Sequence, residues 1–176
     1  MFDCTLFRPN RQQVLNLCLI IAFSGVFDQL TKQLFMRMLI SPNEIFDVLP
    51  FLNIVYRTNT GMAFSLGDNL GEFGRYFFIT VALIVSVGLF IWVLKGTTQL
   101  RLLSVGLVIG GALGNTVDRL RIGGVVDFLD FHAFGWHYPT FNLADTLIFS
   151  GVMLMLWDYW RLESLQQDAQ KTQEQP

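Results

Sequence analysis

Residues 76–94 read YFFITVALIVSVGLFIWVL, a run without a charged side chain that is closed by Lys95. A helix that crosses a bilayer needs about 20 mostly apolar residues, so this stretch alone predicts a membrane span. Working outward, a second apolar run extends from Leu102 to Val117, between Arg101 and Asp118. A third covers Val14 to Leu34 and is interrupted late by Asp28. A fourth runs from Phe141 to Trp160, with Asp145 early and Asp158 late. Tyr76, Trp92, Trp157, Tyr159 and Trp160 fall near the ends of these runs, where aromatic belts form. The runs are continuous and do not alternate with period two, which excludes a transmembrane barrel. The expected fold class is an all-α membrane protein with four transmembrane helices.

Composition agrees. Of 176 residues, 52% are hydrophobic and only 15% charged, against about a quarter charged in soluble domains. A net charge of −2 leaves no electrostatic footprint for nucleic acid. Cys4 and Cys18 are the only cysteines, which rules out a disulfide scaffold and a cysteine-rich zinc site. His132 and His137 are the only histidines, too few for a histidine metal cage, and both read as aqueous loop residues. Arg8 and Arg11 ahead of the first run, with Ala22-Phe-Ser24 inside it, have the outline of a cleaved leader. No soluble domain follows them, so a retained span is expected.

The chain divides into a polar tail at 1–13, a membrane domain at 14–161 and a second polar tail at 162–176. Within the latter, the Gln-rich residues 166–176 are expected to be disordered. The connection from Leu39 to Arg75 is long. Its segment Ile45 to Tyr56 is rich in β-branched and aromatic residues, with Pro42 and Pro50 as punctuation. Gly67, Gly71 and Gly74 make Leu66 to Arg75 a poor buried helix, better suited to lie on the interface. The connection from Leu120 to Thr140 carries Gly123-Gly124 and then the strand-like Val125 to Phe131. Both belong to the same side of the membrane, giving a small β-like cradle and an interfacial segment there. Lys and Arg are evenly split between the two sides. Only the dense Lys95/Arg101 pair leans both termini towards the cytoplasm.

Four spans alternate in direction. Asp28 is late in the first, Asp118 ends the third and Asp145 is early in the fourth, so these ends face one side, and Asp127 lies in the loop on that side. Asn59, Asn115, Asn142 and Arg119 fall there too. Ionisable groups in spans are costly and mark functional sites by default. Each nevertheless has a local explanation. Asn142-Leu-Ala-Asp145 has the form of a helix N-cap with an acid three positions on. Asp118 and Arg119 can form a span-terminating ion pair. Asp28 and Lys32 are i,i+4 partners. Gly110, Gly111, Ala112 and Gly114 suit close helix packing. Asp127 is harder to explain locally, because a charge between Val125-Val126 and Phe128-Leu129 is expensive without partners.

Two carboxylates held close together cannot both ionise cheaply, so one keeps a proton. One then serves as base towards water and the other as acid towards a carbonyl. Such a pair needs neither metal nor cofactor. The α-helical N-terminus should keep Asp145 ionised, and apolar neighbours should favour a protonated Asp127. The elbow Gly-x-Ser-x-Gly, the zinc motif His-Glu-x-x-His and the soluble aspartic protease motif Asp-Thr-Gly are all absent.

Five segments in order resemble the prolipoprotein signal peptidases (signal peptidase II): Asp28-Gln-Leu-Thr-Lys32, Asn59-Thr-Gly-Met-Ala-Phe64, Gly110-Gly-Ala-Leu-Gly-Asn-Thr-Val-Asp-Arg119, Val125-Val-Asp-Phe128 and Phe141-Asn-Leu-Ala-Asp145. The resemblance covers Val14 to Arg161. It implies a bacterial inner-membrane aspartic endopeptidase with both termini cytoplasmic and its active site near the extracytoplasmic surface. The implied reaction removes the signal peptide from diacylglyceryl-modified prolipoproteins, cutting before the lipidated cysteine. Asp127 and Asp145 match the catalytic pair. Asp28, Lys32, Asn59, Gly111, Asn115, Asp118, Arg119, Asn142 and Ala144 match positions of support or substrate contact. Met62 departs from the pattern, since the family commonly has a small residue there, and this bears on packing beside Asn59. The implied partners are lipid-modified prolipoproteins and membrane lipid, with a monomer expected. A small proton-coupled transporter using the same acids is the alternative, although the inverted repeats and broken helices of such carriers are not visible.

Overall fold

A computed structural model describes residues 11–39, 45–61, 71–95 and 97–173. Helix α1 (Arg11–Met38) leads into the hairpin β1 (Ile45–Leu49) and β2 (Leu52–Asn59). Helices α2 (Gly71–Leu94) and α3 (Gln99–Ile122) follow, then β3 (Val125–Ala133), β4 (Trp136–His137) and α4 (Leu143–Gln173). By length and composition, α1, α2 and α3 can each cross a membrane. Helix α4 is long, but Asp145 and Asp158 bracket its apolar stretch.

Helix α3 lies at the centre because one side of it is nearly bare. A Cβ on Gly106 would stand 2.5 Å from Ile20 Cγ2, and one on Gly110 2.5 Å from Ser24 Cβ, so α1 lies directly against this stripe. On another face, a Cβ on Gly111 would reach the Ala144 carbonyl of α4 at 2.5 Å. The packing reading of these small residues therefore holds. Helices α3 and α4 run antiparallel along their length: Asp158 meets Thr98 and Arg101 at one end, and Asp145 meets Asn115 at the other. Thr98 caps α3 by accepting the Arg101 N–H at 3.1 Å. Gly123, at φ 81°, closes it in the left-handed conformation, which glycine adopts without steric cost. The outward faces keep Leu19, Phe23, Leu30, Ile84, Val87 and Phe149 exposed. The belt residues named above are exposed as well.

The cradle is an antiparallel sheet in the order β1-β2-β3-β4. Asn59 pairs with Val125 and Arg57 with Asp127, and an irregularity follows before Ile54 pairs with Leu129. Gly124 permits this join, since a Cβ there would meet Thr58 Cγ2 at 2.7 Å. Ile54, Phe128 and Leu39 pack beneath the sheet at the end of α1.

Three expectations are corrected. Residues 166–173 continue α4 as helix, because the Gln, Ala and Lys that make up most of them are good helix formers. Of the interfacial segment, residues 71–75 belong to α2 and 66–70 lie outside the described residues, as do Pro42 and Met62. His132 and His137 sit on paired strands, not in a loop.

Candidate active site

Asp127 is supplied by β3 and is 2% exposed. Its two oxygens take amide donors from opposite sides. Asn59 Nδ2 donates to Oδ2 at 3.1 Å, and Asn142 Nδ2 donates to Oδ1 at 2.7 Å. These are the partners its apolar strand demanded. Burial, followed by the negative charge of Asp145, pushes the Asp127 carboxyl up to about 7. The hydrogen bonds from Asn59 and Asn142, and the charge of Lys32, pull the other way.

Asp145 lies in the first turn of α4, where the local and the functional readings coincide. Asn142 Oδ1 accepts the Asp145 N–H at 2.9 Å, and Asp145 Oδ2 accepts the Asn142 N–H at 3.2 Å. This is a reciprocal capping arrangement. It also fixes the Asn142 amide: the oxygen faces the helix, so the nitrogen faces Asp127. Asn115 Nδ2 donates to the other Asp145 oxygen at 2.8 Å. Asn142 therefore touches both acids while being fully buried itself.

Behind the acids lies a buried ion cluster. Lys32 Nζ contacts Asp28 at 2.9 Å, Asp118 at 2.8 Å and Asn115 Oδ1 at 2.9 Å. All three ammonium hydrogens are thereby used. Because Lys32 occupies the Asn115 oxygen, the Asn115 nitrogen is left for Asp145. Asp28 Oδ1 also accepts the Ala144 N–H at 2.9 Å, tying α1 to the start of α4. Asp118 Oδ2 accepts the Val126 N–H at 3.2 Å, tying α3 to the strand that carries Asp127. The i,i+4 pair expected for Asp28 and Lys32 is present, but it is one part of a wider cluster. The pairing of Asp118 with Arg119 is not: Asp118 turns to Lys32, since successive helix positions face different directions. Arg119 instead donates to the Gly61 carbonyl at 3.3 Å and lies over the Phe78 ring. Its Nε is buried without a hydrogen-bond partner among the described residues.

The expected residues thus meet at one end of the helices. Gly111 and Ala144 contribute by proximity, through the backbone contact already described. Gln29 was not singled out from sequence, and Gly114 was read only as a packing position. Gln29 Nε2 donates to Asp118 at 2.8 Å and to the Gly114 carbonyl at 3.1 Å. A Cβ on Gly114 would stand 2.5 Å from Asp28 Oδ2. Both lie inside matching segments, and position in a motif was the available signal. A second polar network, also missed, crosses the sheet. Buried Asp130 accepts from His137 Nδ1 at 2.9 Å and from Asn53 at 3.4 Å, and His132 Nε2 lies 3.0 Å from Asn53 Oδ1. Among the described residues, no three His, Cys, Asp or Glu side chains are arranged to hold a metal ion.

The family model described as signal peptidase II matches residues 20–161. The lipoprotein signal peptidase of Alteromonas mediterranea is 38% identical over 153 residues, spanning 86% of this chain and 84% of its own. That of Shewanella oneidensis is 43% identical over 152 residues, spanning 84% of this chain and 86% of its own. A bacterial membrane enzyme solved by the in meso method at 2.3 Å superposes with a TM-score of 0.71 and 32% identity, over 91% of this chain and 93% of that one.

Proposed function

The chain belongs to the signal peptidase II family, whose members are proteases, and on that premise we propose that it removes the signal peptide from diacylglyceryl-modified prolipoproteins by means of Asp127 and Asp145. The observation that carries the proposal is the Asn142 bridge between two carboxyl groups, one of which is shifted to about 7. Such a pair holds one proton between two acids with separated affinities. Asp145, which accepts two N–H donors, is assigned as the base and takes a proton from water. The hydroxide adds to the scissile carbonyl carbon while Asp127 gives its proton to the carbonyl oxygen. Collapse of the tetrahedral intermediate breaks the C–N bond. The amine leaves with the proton held by Asp145, and the hydroxyl proton returns to Asp127. The amides of Asn59, Asn115 and Asn142, which already donate to the two acids, together with Arg119, are assigned as the donors to the developing charge.

Helix α4 is the fourth span in this reading. Its antiparallel contact with α3 from Asp158 to Asp145 supports that assignment. Both termini are then cytoplasmic and the acids lie near the extracytoplasmic surface, where a lipidated substrate arrives sideways through the bilayer. The protein acts as a monomer.

The test is a synthetic precursor peptide added to the purified protein in a bilayer, with fragments identified by mass spectrometry. The precursor with a diacylglyceryl cysteine is cut just before that residue, and cutting survives a strong chelator. Loss of activity on chelation, restored by one divalent ion, would falsify the two-acid mechanism.

A further inference from the structure

The β3–β4 hairpin turns through Phe134 and Gly135, with φ of 52° and 80°. Two-residue turns with both φ values positive favour Asn-Gly, and a bulky aromatic residue at the first position is strained. Strain of this kind persists where something compensates for it. Nothing within the described residues does so, because Phe134 is 109% exposed. Trp136 is 63% exposed beside it, and Tyr138 is 49% exposed. The stretch 131–138, FHAFGWHY, has no Asp, Glu, Lys or Arg. It belongs to the connection between the end of α3 and the start of α4, the end at which α1 also finishes. On the proposed topology that end lies at a membrane surface, and Trp and Tyr concentrate at such surfaces.

We propose that the β3–β4 tip is a lipid-inserting wedge, with Phe134 entering the acyl boundary of the bilayer and Trp136 and Tyr138 seated at headgroup level. The partner is lipid and the attraction is apolar, so zwitterionic phosphatidylcholine suffices. Trp136 packs edge-on against Tyr138 at 6.1 Å, and Tyr138 packs against Phe141 at 5.9 Å, the residue before Asn142. A seated tip therefore sets the height of the acids relative to the bilayer. This rests on the membrane placement proposed above, and it is read independently of peptide cleavage.

The test uses the full chain in phosphatidylcholine nanodiscs. Trp136 emission is obtained as the difference between the protein and its Trp136→Phe variant, which cancels Trp92, Trp157 and Trp160. Acyl-brominated lipid should quench that emission and aqueous iodide should not. Phe134→Asn suits the turn and keeps the hairpin, so it should fold at least as well, cleave normally in detergent, and lose most of the bromolipid quenching. If iodide quenches Trp136 and bromolipid does not, the tip faces water or a protein and the proposal is overturned. Equal bromolipid quenching in Phe134→Asn would likewise remove Phe134 as the wedge. Absence of cleavage in detergent by the unaltered protein would count against the peptidase reading and leave the quenching result standing.

Discussion

Asn142 has two separable duties, because its oxygen caps α4 and its nitrogen serves Asp127. Asn142→Asp keeps an oxygen for the cap but replaces the donor with a second acid beside Asp127. The variant should fold and lose about 100–1,000-fold in turnover, the usual cost of one well-placed donor. Normal turnover would confine Asn142 to capping. Asp127 itself predicts the pH profile. On the proposed mechanism it works protonated, and its carboxyl is pushed up to about 7, so kcat/KM should fall as pH rises through that value. Asn59 stabilises its carboxylate form. Asn59→Ala should therefore move the alkaline limb to higher pH, and a limb that stays or moves down contradicts the assignment. At this scale the sequence was informative where chemistry is costly. A charge in the apolar run 125–129, and an acid three positions after an asparagine, each demanded a partner. Asp130 and its histidines were hidden because Asn53 lies far away in sequence and meets them only through strand pairing.

At the scale of elements, the site is held by backbone contacts that tolerate little. Gly111 lies so close to the Ala144 carbonyl that a methyl group must push α4 away from α3. Gly111→Ala should cost roughly 1–3 kcal/mol, read as a lower unfolding temperature in detergent, with reduced cleavage because Asp145 starts the displaced helix. Unchanged stability and rate would show that α4 is not fixed there. Lys32→Met removes the cation between Asp28 and Asp118 and leaves both carboxylates buried. Breaking such a buried pair costs about 3–5 kcal/mol, so this variant should be among the least stable. The helices were legible because long apolar runs admit few alternatives. The strands were legible from their β-branched residues, but their register was not, since it depends on an irregularity in β2 and on Gly124. The polar end of α4 was misread because solubility was taken for disorder, although its residues favour helix.

For the molecule as a whole, the proposed topology predicts that reporters fused after Gln166 or between 96 and 99 read cytoplasmic, and that reporters within 45–61 read exported. Finding 45–61 and 96–99 on the same side would dismantle it. That topology brings the acids, the sheet and the outward apolar faces into one arrangement, in which a lipid-borne peptide meets a buried pair sharing a proton. The most direct measurement of that claim compares the unaltered protein with Asp127→Asn and Asp145→Asn in bilayers, scoring both binding and cleavage of a diacylglyceryl precursor peptide. Both variants should insert, fold and bind the precursor while losing nearly all cleavage. Normal cleavage by Asp127→Asn, with a dead but folded Asp118→Asn, would contradict the account and move the chemistry to α3.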